Sequence, residues 1–146
     1  DIYEWKLAEL KRRAKRAGAH NIETRFIEDN KVIKRLHEKA DRLLIDAPCS
    51  GLGVLKRNPD SKWKIDQDFI DRIKNEQQQI LQDYSKMLKK GGKMVYATCS
   101  ILPSENNEQV ETFLKNNEGF TLLKEEKVMP SDGFDGFYMA LIQRNA

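Results

Sequence analysis

Apolar residues along this chain recur with two periods. Leu7, Leu10, Ala14 and Ala17 keep helical spacing, which predicts a helix over Tyr3–Ala17 with Gly18 as its stop. Ile22–Ile27 alternates and is β-branched enough for a strand, ending at Glu28-Asp29. Lys31–Lys39 reads as a short basic helix or an irregular link. The run Arg42-Leu43-Leu44-Ile45 stops abruptly at Asp46-Ala47-Pro48-Cys49, as a buried strand of a parallel sheet does. A polar loop with Gly51, Gly53 and Pro59 follows, from Ser50 to Lys64. Asp66–Lys89 is the clearest helix, with Phe69, Ile70, Ile73, Gln77, Ile80, Leu81, Tyr84, Met87 and Leu88 along one stripe and Gly91-Gly92 as its stop. Lys93–Thr98 predicts a second core strand, ending at Cys99-Ser100. Pro103 opens a helix reaching about Lys115, with Val110, Phe113 and Leu114 on one face. Phe120–Val128 and Gly136–Arg144 predict two last strands, joined by a loop with Pro130 and Gly133.

Strands alternating with helices imply an α/β sheet with helices on both faces, and the last two strands imply an antiparallel pair at its edge. The glycine cluster Gly51–Gly53 follows a strand, but no helix opens directly on it, so no dinucleotide fingerprint is present.

Composition narrows this picture. At 146 residues the chain forms at most one domain. No apolar run approaches the roughly 20 residues of a membrane-spanning helix, and no secretory leader is legible. The chain starts at Asp1 within what reads as a strand-to-helix turn, so a fragment of a longer protein is expected. A net charge of +3 is only a weak pull toward polyanions. The basic run Lys11, Arg12, Arg13, Lys15 and Arg16 suits a solvated helix face. Two cysteines make no disulfide framework and fit a reducing cytoplasm.

Ligands of open α/β sheets bind beyond the carboxyl ends of the strands. Both cysteines, Cys49 and Cys99, lie there, past consecutive predicted strands. If those strands are neighbours, they run about 4.8 Å apart and the thiols share one cleft. The alternative is that each cysteine is an inert small hydrophobe. The flanking Asp46, Pro48, Thr98 and Ser100 favour a working pair. A zinc site is not expected, because His20 and His37 sit far off in sequence.

Asp46-Ala47-Pro48-Cys49-Ser50-Gly51 and Ala97-Thr98-Cys99-Ser100 resemble the two signature motifs of the Nol/Nop/Sun family of RNA cytosine-5 methyltransferases. Arg57–Trp63, Leu102–Asn106 and Asp135–Ala140 resemble further segments of that family, so the resemblance covers nearly the whole chain. It implies a Rossmann-like class I methyltransferase fold that lacks, here, its first strand and glycine-rich loop. It also implies methyl transfer from S-adenosylmethionine to carbon 5 of cytosine in structured RNA, with ribosomal RNA expected and transfer RNA the alternative. Cys99 would be the nucleophile, Cys49 would assist product release, and Asp46 would hydrogen-bond the cytosine. Asp1, Asp29, Asp46 and Pro48 would face the cofactor, with Glu28 an alternative to Asp29 and helix capping the alternative role for Asp1. Lys56, Arg57 and Lys62 would either lower the Cys99 pKa or hold RNA phosphates. Trp63 and Tyr138 are candidates to pack near the base, though core or loop anchoring suits both better. No metal and no membrane are implied, and exposed sheet edges would favour self-association. Two rivals stand beside this reading. In a DNA cytosine-5 methyltransferase, Cys49 would attack and Glu105-Asn106 would be the acid motif. In a non-enzymatic RNA-binding scaffold, neither thiol would react.

Overall fold

The computed structural model describes residues 1–146. Helix α1 (Glu4–Arg16) places Glu4 in its first turn and Arg13, Lys15 and Arg16 in its last, which suits the helix dipole. Glu9 pairs with Arg12 at 2.6 Å and with Arg13 at 2.7 Å, yet the helix buries none of its residues. The expected strand over Ile22–Ile27 does not form. Its chain runs beside Asp1 instead: Asp1 N donates to Arg25 O at 3.2 Å, and Ile27 N donates to Asp1 O at 2.9 Å. That is a parallel bridge of one residue, and alternation without a longer partner gives no ladder.

Helix α2 (Lys31–Arg35) turns Ile33 inward and leads to strand β1 (Ala40–Asp46). A short helix α3 (Ser61–Lys64) interrupts the long loop after β1. Helix α4 (Gln67–Tyr84) starts where the Asp66 carboxylate accepts from Phe69 N at 2.8 Å. It ends earlier than Lys89. A single 3₁₀ turn, Ser85–Met87, delivers the chain into strand β2 (Leu88–Thr98). Met87 and Leu88 fit the helical stripe, but both are buried outside the helix, Leu88 as the first strand residue. Gly91-Gly92 is therefore no helix stop. The register jumps from Ala40↔Leu88 to Arg42↔Lys93, so extra residues of β2 bulge out there. Gly91 sits at φ +74°, and a Cβ on Gly92 would meet Lys89 O at 2.8 Å.

After β2, a 3₁₀ turn (Pro103–Glu105) and a break at Asn106 precede helix α5 (Asn107–Lys115). The expected continuous helix from Pro103 is broken because Asn106 uses its side chain on the preceding loop. Its Oδ1 accepts from Thr98 Oγ1 at 2.5 Å, and its Nδ2 donates to Ser100 O at 2.9 Å. Strands β3 (Phe120–Val128) and β4 (Phe137–Arg144) complete a four-stranded sheet of order β1-β2-β4-β3. β1 and β2 are parallel neighbours, and β4 is antiparallel to both β2 and β3.

One face of the sheet carries Ile45, Met94, Tyr96, Tyr138, Ala140 and Ile142, packed with Leu81 of α4 and with Val110 and Phe113 of α5. Helices were expected on both faces, but Leu44, on the opposite face of β1, is 69% exposed. No helix is long and apolar enough to cross a membrane.

Candidate active site

β1 and β2 end side by side. Asp46 pairs with Ala97, and Ala47 N extends the ladder to Ala97 O at 2.9 Å. The two chains then release Cys49 and Cys99 into the same space, with Sγ atoms 3.2 Å apart. Both thiols are free and partly exposed. The separation exceeds the roughly 2.05 Å of a disulfide but allows S–H to reach sulfur. The loop after β1 is held against Cys99 by Gly53, whose N–H donates to Cys99 O at 2.9 Å and whose carbonyl accepts from Gly136 N at 2.7 Å. No side chain fits at Gly53: a Cβ there would lie 2.1 Å from Gly136 O and 2.7 Å from Cys99 O.

The pair titrates unevenly. The Cys99 thiol is pulled down to about 7, chiefly by the hydrogen bond its thiolate receives from Cys49, helped by its own backbone N–H. Burial and the Asp46 and Glu105 carboxylates work against that shift. Cys49 is pushed up by the same bond, by burial and by the neighbouring Cys99 charge. None of Lys56, Arg57 or Lys62 is among the main causes of the Cys99 shift, whose largest is the bond to Cys49.

Beneath the thiols lies a polar cluster closed to solvent. Glu105 is fully buried. Its carboxylate accepts from Ser50 N at 2.7 Å, Ser50 Oγ at 2.5 Å, Gln77 Nε2 at 3.2 Å and Ser100 Oγ. Gln77 also donates to Pro48 O at 2.9 Å. A carboxylate sealed in this way offers no surface to a base, which removes the acid-motif role weighed for Glu105-Asn106.

The residues expected at the cofactor differ in their settings. Asp46 and Pro48 are exposed next to the thiols. Asp1 is exposed, and its Oδ1 accepts from Tyr3 N at 2.9 Å just before α1. Asp29 is tied to Lys31, by Oδ1 to the backbone N–H at 2.8 Å and by Oδ2 to Nζ at 2.9 Å, and those bonds hold its carboxyl below the usual range.

Residues 1–143 match the family model described as 16S rRNA methyltransferase RsmB/F. This chain belongs to the RsmB/F methyltransferase family. It is 44% identical to the ribosomal RNA small subunit methyltransferase B of Yersinia enterocolitica, over 73% of this chain and 27% of that protein. It is 40% identical to the Vibrio cholerae protein of the same name, over 73% and 26%. The chain thus spans about a quarter of the curated relatives it matches. Among solved structures, NSun6 from Pyrococcus horikoshii with SFG superposes at TM-score 0.86 and 25% identity, over 100% of this chain and 40% of that one. A methyltransferase homolog from Pyrococcus horikoshii shares the fold at TM-score 0.82 and 24% identity, over 100% and 52%.

In this RsmB/F chain the basic candidates occupy different settings. Lys56 lines an open cleft of about 230 Å³ with Leu52, Gly53, Ile101 and Phe134. Arg57 pairs with Asp135 at 2.8 Å and so braces two loops of that cleft. Lys62 lies over the Trp63 ring at 4.8 Å, and Trp63 is 80% exposed, not a core anchor. Tyr138 is a core residue, its hydroxyl donating to Glu125 at 2.7 Å. Sequence reasoning missed Gln77, counted as part of an apolar stripe, and the bonds to Glu105 of the serines that follow each cysteine. The available signals were a lone amide in that stripe and the repeated Cys-Ser pair.

Proposed function

We propose that this chain is the thiol-bearing part of a catalytic domain that methylates carbon 5 of cytosine in small-subunit ribosomal RNA, with S-adenosylmethionine as methyl donor. The observation that carries this reading is the 3.2 Å approach of Cys49 and Cys99 at the ends of adjacent parallel strands. The names of the curated relatives support the RNA class, and the SFG of the NSun6 structure, an S-adenosylmethionine analogue, supports the cofactor.

Carbon 5 of cytosine is a poor nucleophile. The Cys99 thiolate adds to carbon 6, its electron pair forming the S–C bond and making carbon 5 enamine-like. When bound, S-adenosylmethionine supplies the methyl group. After transfer, a base takes the carbon 5 proton, the ring double bond re-forms and Cys99 leaves as thiolate. Cys49, 3.2 Å away, keeps its proton and donates an S–H hydrogen bond that stabilises the departing thiolate. Asp46, exposed at the end of β1, would accept a hydrogen bond from the cytosine and would help to hold the cofactor.

Asp1 and Asp46 would meet the cofactor as exposed carboxylates. Asp1 would hold ribose hydroxyls with the oxygen that Tyr3 N does not occupy. Asp29 or Glu28 would lie toward the adenine, and Asp29 must first release Lys31. Lys56 and Lys62 would meet RNA phosphates. The target base arrives unstacked, from a single-stranded loop or flipped out of a helix.

Bisulfite sequencing of 16S rRNA from a deletion strain tests the reading. One protected cytosine is expected to disappear, to return with the wild-type gene and not to return with Cys99→Ala. No lost cytosine, or full rescue by Cys99→Ala, would contradict it.

A further inference from the structure

Glu105 is an uncommon choice for a site with no solvent contact, since a buried carboxylate is costly unless fully hydrogen-bonded. Its partners are not scattered. Ser50 directly follows Cys49 and Ser100 directly follows Cys99, and their hydroxyls lie 3.2 Å apart on the same carboxylate. Gln77 adds a grip on the residue before Cys49, through Pro48 O at 2.9 Å, while also donating to Glu105. One side chain therefore ties the loop after β1 to the loop after β2, immediately behind both sulfurs.

We propose that Glu105 is a positioning residue for the two thiols, a clasp that fixes the Cys49–Cys99 separation at a distance where Cys49 can donate an S–H hydrogen bond to Cys99. This rests on the reading above in which the Cys99 thiolate attacks.

Charge and geometry predict opposite signs, which makes the clasp testable. As a nearby anion, Glu105 opposes ionisation of Cys99, so losing the charge alone would make Cys99 more acidic. Losing the clasp separates the thiols and makes Cys99 less acidic. Iodoacetamide labelling of the full-length protein across pH, without RNA and with the Cys99 peptide followed by mass spectrometry, reads the thiolate directly. Wild type is expected to show a midpoint near about 7. Glu105→Ala is expected to raise it by roughly 1 unit or more, toward the ordinary thiol value of about 8.5. Methyl transfer at pH 7 would then fall about five-fold and the deficit would close by about pH 9. Glu105→Gln keeps the oxygen toward Ser50 N and Gln77 and turns its NH₂ toward hydroxyls able to accept, so it keeps the clasp and loses only the charge, and its midpoint is expected at or somewhat below the wild-type value.

An Ala variant whose midpoint falls or does not move overturns the proposal, as does a Gln variant as disturbed as the Ala one. If Glu105→Ala does not fold, Ser100→Ala removes one strut, and its midpoint must rise by roughly half a unit. An unchanged midpoint there is equally fatal. Failure of the underlying reading looks different: the midpoints would behave as described while Cys99→Ala still formed a covalent RNA adduct.

Discussion

Two helices of this chain make opposite use of their side chains. α1 has leucines at helical spacing but buries none of its residues, and Leu10 is 40% exposed. α4 buries Ile73, Gln77 and Leu81, and its one buried amide reaches the loop that carries Cys49. The difference extends to the chemistry each region holds. The thiols are fixed by a sheet, two helices and a closed hydrogen-bond cluster. Asp1 and Asp29 are exposed, on segments joined by a single bridge. A reactive pair that must share a proton needs its separation set by packing, whereas a carboxylate that accepts hydroxyls can be completed by the ligand.

Substitutions should separate the two regions sharply. Phe113→Ala, at a fully buried site stacked edge-on against Phe120 at 5.1 Å, is expected to cost about 3–5 kcal/mol in urea unfolding. Leu10→Ala in α1 should stay within about 0.5 kcal/mol. Equal losses would erase the contrast. Gly53→Ala comes next, at about 1–3 kcal/mol, because its Cβ must push aside Gly136 O or Cys99 O. It should also slow alkylation of Cys99, and a variant with normal Cys99 labelling would show that the glycine contact does not hold the site. The smallest signal is expected from calorimetric titration of these 146 residues with S-adenosylmethionine. The sequence holds acidic strand ends but no glycine-rich cofactor turn, so binding should be weak or undetectable, and micromolar affinity would refute that.

The contrast also marks what was legible in advance. The strand ends at Asp46 and Thr98 were readable because apolar runs stop there against polar residues, and having only two cysteines, both at those ends, pointed to one cleft. The end of α4 was not readable, because Met87 and Leu88 fit a helical stripe as well as the start of β2. Gly91-Gly92 looks the same as a stop or as a bulge until the partner register is known. Ile22–Ile27 alternates as a strand should, yet a strand exists through its partner, and here that partner is one residue long. Glu105 lay hidden for another reason. A glutamate in a polar segment reads as exposed, and its burial follows from how two loops close over it, which no local pattern encodes.

The central claim is that the two thiols, equivalent in a list of residues, have separate jobs. Trapping tests it most directly. The full-length protein, incubated with S-adenosylmethionine and small-subunit ribosomal RNA, is resolved on a denaturing gel. Cys49→Ala is expected to accumulate a covalent protein–RNA adduct, because attack by Cys99 proceeds and release stalls, and Cys99→Ala is expected to form none. An adduct with Cys99→Ala and none with Cys49→Ala would contradict the account by reversing the two roles.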